Sequence, residues 1–532
     1  MIKKLYEYIY LTAHEYSSQY AAVSALIMIV ILVLIVIACL SVWLVTKWRR
    51  VKRYWLERGV PHQPPHPVLG SLTFLQRENP SRWMRKLYKD FAAPYVGIWL
   101  FWRPALVINS PDIAKRVLVK DADVFRNRFL SSGKTDPIGA LNIFTVNDPL
   151  WSSLRRRLTS VFTAAKLRSL NGITVSKAKN LLNRIDIEIQ KSEPMDLRKV
   201  FTDYTTDVIG ESAFGVTSNS LIDGDSIMRK VTREFGSFDL HRGLSWSSIF
   251  FFPELVDIFR FSFFPKDTVE VLRKIFRSVI AQRGGYEKEV KDARDLLDAL
   301  LKIKQEAAKE DEEITEDLLL AQAAIFLLGG FETSGGALSW TIYELAWNPQ
   351  CQEKLYQEVL ETKRKIGGRN FDSAIVSEIP YLDCVIKETL RIYPPMGWLD
   401  RIASKDYKID DNLTIPAGTT VYVNGVSMQM DPQYFPEPEV YNPDRFLPDN
   451  ERNITPYSYM PFGEGPRNCI GTRFAYQTLR LGLAEIILKY EVRVLPNTPK
   501  PTECQVEKNG LLLMPSEKLS VEFVKRDNEF IS

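Results

Sequence analysis

Pro461-Phe462-Gly463-Glu464-Gly465-Pro466-Arg467-Asn468-Cys469-Ile470-Gly471 is the stretch from which this 532-residue chain is best read. Its three glycines allow a sharp turn and a close approach to something flat, so the segment describes a tight loop presenting one cysteine. Arg467 puts a fixed positive charge two residues before the sulfur and favours the deprotonated, metal-binding form. Thr472 to Leu481 reads as a helix whose N-terminal dipole also faces Cys469. A lone cysteine is more often a small buried hydrophobe, so the loop needs support from the rest of the chain.

Composition narrows the alternatives. A quarter of the residues are charged and the net charge is +4, which suggests neither disorder nor nucleic-acid binding. Cys39, Cys351, Cys384, Cys469 and Cys504 are scattered without a CxxC pair, against a disulfide framework or a zinc site. Of the four histidines, His14, His62 and His66 lie in the N-terminal tail and linker. That leaves His241, with no motif around it, as the histidine rival to Cys469 for a metal in the main body.

The order Phe-Gly-x-Gly-x-Arg-x-Cys-x-Gly resembles the haem-binding loop of the cytochrome P-450 monooxygenases, in which the cysteine is the proximal iron ligand. The resemblance implies a mainly α fold with a smaller β region. In it, haem b (iron protoporphyrin IX) lies between a long distal helix and the cysteine loop, with Cys469 as the metal ligand and Phe462 beside the cofactor.

Other segments agree. Trp151 and Arg155 stand at i and i+4 on one helix face, and both side chains are pure donors suited to a carboxylate; the family uses this pair on a haem propionate. Thr315-Glu316-Asp317 opens a helix running to Trp347, where Asn348-Pro349 ends it. Four glycines in its middle, Gly329, Gly330, Gly335 and Gly336, cost on the order of 4 kcal/mol relative to alanine. A locally poor choice of this kind points to function. Gly330, Glu332 and Thr333 match the family's Ala/Gly-Gly-x-Asp/Glu-Thr signature, where the helix bulges over the iron and the acid–alcohol pair relays protons. Gly335 and Gly336 depart from the family's hydroxyl or bulkier residues and predict a looser distal helix.

Glu388 and Arg391, one helical turn apart, together with Arg445 in Asn442-Pro443-Asp444-Arg445-Phe446, match the family's structural triad. Arg401 in the strand Asp400-Arg401-Ile402 is implied as a propionate ligand, as are Arg467 and, more weakly, Arg128. By analogy the pocket walls lie near Ile325, Phe326, Met396, Gly397 and Trp398. Arg156, Arg157, Lys166 and Arg168 are expected to form a basic dock for an acidic electron-transfer partner.

The N-terminal part reads as membrane-bound. No charged residue occurs from Tyr20 to Thr46, long enough to span a bilayer at about 20 residues per crossing. Lys47, Arg49, Arg50, Lys52 and Arg53 follow it, against Lys3 and Lys4 offset by Glu7 and Glu15, placing the large C-terminal part in the cytosol. The expected division is a lumenal segment 1–19, an anchor 20–46, a basic, proline-rich and semi-rigid linker 47–70, and a catalytic domain 71–532. Trp43, Trp48 and Trp55 suit the headgroup zone.

Within the domain, Ser81–Phe91 is expected as a helix, and Tyr95–Leu100 with Ala105–Ile108 as a hairpin. Ser110-Pro111-Asp112 reads as a capped helix start, and the stretch from Phe129 to Pro149 as a long loop lining the pocket. Residues 200–310 read as mainly helical. The group Trp246, Phe250, Phe251, Phe252, Phe259, Phe261, Phe263 and Phe264 fits either core or a loop dipping into the membrane interface.

The resemblance is strongest to animal microsomal members, the insect xenobiotic-metabolising branch above all. It implies a monooxygenase of the endoplasmic reticulum membrane, inserting one atom of O₂ into a lipophilic small molecule. Electrons would come from NADPH through NADPH–cytochrome reductase, with cytochrome b5 as an optional second donor. Two alternatives are a haem-thiolate isomerase or dehydratase needing no reductase, and a non-enzymatic haem or lipophile binder. Glu332-Thr333 counts against both.

Overall fold

The computed structural model describes residues 1–191, 193–528 and 530. The side chains of residues 13–19, 21, 22 and 164 lie outside the described ones, so the charge of Glu15 and the position of the His14 ring are not placed. The first element, α1, is one helix from Ile2 to Arg53, about 78 Å long at 1.5 Å per residue. The expected boundaries at 19/20 and 46/47 therefore fall inside continuous helix. Its stretch Val23–Arg53 is apolar enough to cross a bilayer and is 0 % buried against the rest of the chain.

The linker is docked and does not act as a free spacer. Trp55, expected among the headgroups, is 0 % exposed and its indole N–H donates to the Ile98 carbonyl at 3.0 Å. The Trp99 indole donates in return to the Val51 carbonyl at 3.1 Å. Helix α2, Pro80–Phe91, starts on an Asn79 side chain that accepts from the Ser81 N–H, as an Asx cap does. Strands β1, Tyr95–Leu100, and β2, Arg103–Ile108, form the expected antiparallel hairpin. The helix after Ser110 begins at Pro111, but the serine makes no side-chain cap bond. The stretch from Phe129 to Pro149 contains a short helix, Pro137–Leu141, capped by Asp136 at 3.1 Å.

Helices α3 (Leu150–Thr159), α4 (Leu197–Phe214) and α5 (Leu240–Phe251) follow in the helical half. Helix α6, Glu316–Trp347, runs through the core, with Thr315 capping its first turn. Helix α7, Pro380–Ile392, precedes strands β3 (Leu399–Ile402) and β4 (Thr420–Val423). The four strands form one sheet in the order β1-β2-β4-β3, with β4 parallel to β2 and antiparallel to β3. Helix α8, Thr472–Lys489, comes directly after the cysteine loop.

The phenylalanine-rich passage divides between buried and exposed positions. Phe250, Phe251, Phe263 and Phe264 are each 1 % exposed and belong to the main core, whereas Ile258 and Phe259 are 69 % and 60 % exposed.

Candidate active site

Helix α6 carries Ile325, Gly329, Thr333 and Ala337 at i, i+4, i+8 and i+12, one face, and all four line a cavity of about 350 Å³. Cys469 lines the same cavity, as do Arg128, Trp151, Arg155, Phe462 and Arg467. The walls between are apolar and rich in aromatic rings. Ile325, Phe326 and Met396 stand where expected. Gly397 and Trp398 do not: Trp398 stacks on Phe251, and a Cβ on Gly397 would meet Ser81.

The cysteine loop is closed by the Cys469 N–H donating to the Phe462 carbonyl at 2.8 Å and the Asn468 N–H to that of Gly465 at 3.1 Å. Gly463 and Gly465 have φ of +71° and +73°, the left-handed region that a side chain would strain. Phe462 packs on Tyr476 of α8 with ring centres 5.4 Å apart. Burial pushes the Cys469 thiol up, while the Gly471 N–H, Thr472 and Arg155 draw it down. The charge expected from Arg467 is absent from that balance, because the side chain turns away from the sulfur. Its Nε donates to the Arg126 carbonyl at 2.6 Å and Nη2 to Val146 and Asn147 at 3.1 and 3.2 Å.

Arg155 lines the cavity and also holds the loop, donating to the Asn468 carbonyl at 2.9 Å and to its Oδ1 at 2.7 Å. Trp151, which lines the cavity with it, shares its ring with Arg467, whose guanidinium lies 4.2 Å from the ring centre.

Arg128, Arg401 and Arg467 converge on one buried region. Asp400 accepts from Arg128 at 3.2 Å and from the Phe129 N–H at 2.8 Å, and its carbonyl accepts from Arg401 at 2.7 Å. Among the described residues no other carboxylate bonds to these three arginines. Burial, reinforced by the neighbouring guanidinia, pushes Arg467 down to about 8 and Arg401 to about 9. Arg467 Nη1 and Arg128 Nε are buried without a hydrogen-bond partner, a state that costs stability unless an anion fills it. Three guanidinia with one hydrogen-bonded carboxylate leave an excess of positive charge that the two propionates of haem b would offset. Among the described residues no group of three or more His, Cys, Asp or Glu side chains could hold a metal ion. An iron here would therefore take most of its ligands from a macrocycle, and the residues fit the haem. His241 is exposed against Phe261, away from the cavity.

Helix α6 is α-helical throughout, with no bulge at the glycines. Gly329 opens to free space, but a Cβ on Gly330 would stand 2.6 Å from Ile209 of α4. Gly335 lies as close to Thr202 and Gly336 to Met514, so these glycines permit tight packing and the expected looseness is not found. Thr333 faces the cavity, its hydroxyl donating to the Gly329 carbonyl at 2.6 Å. Glu332 is committed elsewhere: Arg198 of α4 donates to it at 2.7 Å, and the Arg198 guanidinium rests 4.9 Å from the Phe238 ring centre.

Glu388 and Arg391 form a two-bond pair, each bond 2.8 Å, with neither side chain exposed. Arg445 reaches the same carboxylate at 3.4 Å. Arg391 also donates to the Gln429 carbonyl at 2.9 Å, and the Gln429 side chain accepts from the Met460 N–H at 2.9 Å. The pair is thereby tied to the residue preceding the cysteine loop. On the outer face, Arg156 and Arg168 are exposed. Arg157 is neutralised by Glu310 and Glu312 at 2.7 and 2.6 Å, and Lys166 is partly buried, so the expected basic dock is reduced.

Sequence reasoning missed Arg198, Asp400, Asn147 and Asn468. Asp400 left a trace, an acid inside the apolar strand Leu399–Ile402; the others left none.

Residues 60–523 match the family model for cytochrome P450. The chain is 36 % identical over 491 residues to cytochrome P450 6k1 of Blattella germanica, covering 89 % of this chain and 93 % of that protein. It is 34 % identical over 477 residues to cytochrome P450 6A1 of Musca domestica, covering 86 % and 93 %. To the probable cytochrome P450 6g2 of Drosophila melanogaster it is 33 % identical over 469 residues, covering 84 % and 90 %. With its thiolate loop, its arginine cluster and this likeness, the chain belongs to the cytochrome P450 family, in the insect xenobiotic-metabolising branch, as a haem-thiolate monooxygenase.

Proposed function

We propose that this protein oxidises lipophilic small molecules, xenobiotic or endogenous, at the endoplasmic reticulum membrane, with the catalytic domain facing the cytosol. Its electrons come from NADPH through a reductase, with cytochrome b5 as a second donor. The observation carrying this reading is the cavity itself, whose lining brings together Cys469, Thr333 and a majority of apolar side chains.

When bound, the haem supplies the iron that activates O₂, one atom entering the substrate and the other leaving as water. In this reading Cys469 would hold the iron through its sulfur, a ligand that would donate electron density to it. Arg128, Arg401 and Arg467 neutralise the propionates, with the Trp151 ring supporting Arg467. Arg155 fixes the loop through Asn468, which sets the height of the sulfur. The Thr333 hydroxyl holds a proton at the cavity edge, and Glu332, when Arg198 lets go, takes up a proton from water and passes it on to Thr333. The triad Glu388–Arg391–Arg445 braces the loop entry. The apolar walls exclude water and admit a lipophilic guest. Ile258 and Phe259 provide a second membrane contact beside the anchor, which keeps the cavity close to dissolved substrate.

The test uses the full-length protein in membranes. The reduced protein should give the red-shifted carbon monoxide band of a thiolate-ligated haem, and Cys469→Ala should abolish it; survival of the band would remove Cys469 as ligand. Turnover should consume NADPH and O₂ only with reductase present and yield a product carrying one added oxygen. Rearrangement without reductase would favour the isomerase reading.

A further inference from the structure

Crossing the membrane accounts for only part of the length of α1. Val23–Arg53 is the stretch apolar enough to cross, and a hydrocarbon core takes about 20 residues to span. The helix nevertheless begins at Ile2, so the segment from Ile2 to Tyr20 adds about 28 Å on the side away from the domain.

Its residues are sorted around the helix, unlike those of the span. At 3.6 residues per turn, Ile2, Leu5 and Ile9 share an arc of about 60°. Lys3, Lys4 and Glu7 fall on the reverse face. Tyrosines border the apolar stripe, Tyr6 and Tyr10 along one edge and Tyr8 along the other. Leu11, among the charged positions, is the exception. In the span, by contrast, every residue from Leu26 to Ile37 is apolar, and the helix is alike all round. The side chains of Ile2, Leu5, Tyr6 and Ile9 are between 58 % and 85 % exposed.

Two observations name the surface that covers this stripe. The segment runs into the span with no break in the helix, so it starts at the membrane surface with lipid within reach. The tyrosine borders then point to the headgroup zone, where a ring rests on acyl chains and keeps its hydroxyl wet. A second copy of the chain fits the pattern less well. Pairing through the stripe would press the Tyr6 hydroxyl against apolar side chains, at the cost of its hydration.

We propose that the segment from Ile2 to Tyr20 lies along the membrane surface, on the leaflet farther from the domain, with Ile2, Leu5 and Ile9 among the acyl chains. The axis turns from surface to span at Ser17-Ser18, a pairing at which helices bend readily. The anchor is then held at both faces of the bilayer, by the docked Trp55 at one end and by this segment at the other. So held, it cannot slide along its own axis. The inference rests on α1 crossing the bilayer and is independent of the haem.

The test uses the full-length holoenzyme in phosphatidylcholine vesicles. Each sample carries Cys39→Ser and one of Leu5→Cys, Ile9→Cys, Lys4→Cys or Glu7→Cys, labelled with an environment-sensitive dye. Cys351, Cys384 and Cys504 are buried and escape the label, and the carbon monoxide band sets the amount of intact protein. Nitroxide-bearing lipid should quench the dye at Leu5 and Ile9 at least about three-fold more than at Lys4 and Glu7, and aqueous iodide should show the reverse order. Adding Ile2→Glu and Ile9→Glu should open the Leu5 position to iodide. Equal access of iodide to all four positions would leave the segment in water and overturn the inference. Shielding from both quenchers, with oxidation joining two chains through Ile9→Cys, would overturn it in favour of a paired helix. Release of the protein from the vesicles at alkaline pH would sink the membrane crossing together with the inference.

Discussion

On the thiolate side of the cavity, Glu388 takes two bonds from Arg391 and a third contact from Arg445, and Gln429 passes that order to the cysteine loop. Elsewhere on the lining, Trp246, Phe250, Phe263 and Phe144 meet through ring contacts. The first region depends on angles, since a buried ion pair is strong only when every donor finds its acceptor. The second depends on volume and tilt, and similar-sized rings can replace one another at small cost. One molecule thus keeps a stiff side for holding a cofactor and a tolerant side for accepting guests.

The contrast can be broken at several points. Glu388→Ala should be the most damaging, because it leaves two guanidinia facing a buried gap; a loss of about 3–5 kcal/mol is expected. The reading would be thermal unfolding and haem content of the purified protein, and an unchanged midpoint would remove the triad's bracing role. Arg401→Ala should be milder. Removing one charge-assisted bond of roughly 2 kcal/mol should speed haem transfer to an acceptor apoprotein by about thirty-fold, and an unaltered rate would place the propionates elsewhere. Thr333→Ala should leave haem content and folding intact yet divert reducing equivalents to hydrogen peroxide; equal coupling would take the hydroxyl out of the proton path.

A further test concerns the far end of α6. Burial pushes the Glu344 carboxyl up to about 7, with Tyr393 and Arg391 opposing. A raised carboxyl pKa means that the folded state holds the proton more tightly, so this contribution is present below the unfolded value near 4.5 and lost as pH rises through about 7. Glu344→Gln should therefore reduce the loss of stability between those limits, measured as the difference in melting temperature from the unaltered protein at each pH. Parallel profiles would show that Glu344 does not titrate there.

These regions also differ in how well the chain announces them. The cysteine loop, the capped start of α6 at Thr315, and the Glu388–Arg391 spacing are local arrangements, and local rules of turn, cap and helix face recover them. What escaped depends on partners distant in sequence. Arg467 sits two residues from Cys469, yet it is drawn off by Arg126, Val146 and Asn147. Glu332 finds Arg198, 134 residues earlier. Gly335 and Gly336 read as weakness because their neighbours Thr202 and Met514 lie in other elements. The aromatic passage had a composition that fitted both outcomes, and only packing could send Phe263 inward and Phe259 outward.

The docked Trp55 bears on how this protein can be handled. The anchor helix ends in a reciprocal pair of indole bonds, Trp55 to Ile98 and Trp99 to Val51, so its last turn is also a plug in the edge of the sheet. A soluble form made by cutting away the membrane helix should keep its new terminus ahead of Val51. A cut made at the proline run, where composition alone would start the domain, would pull that plug and leave the Trp99 indole without its acceptor.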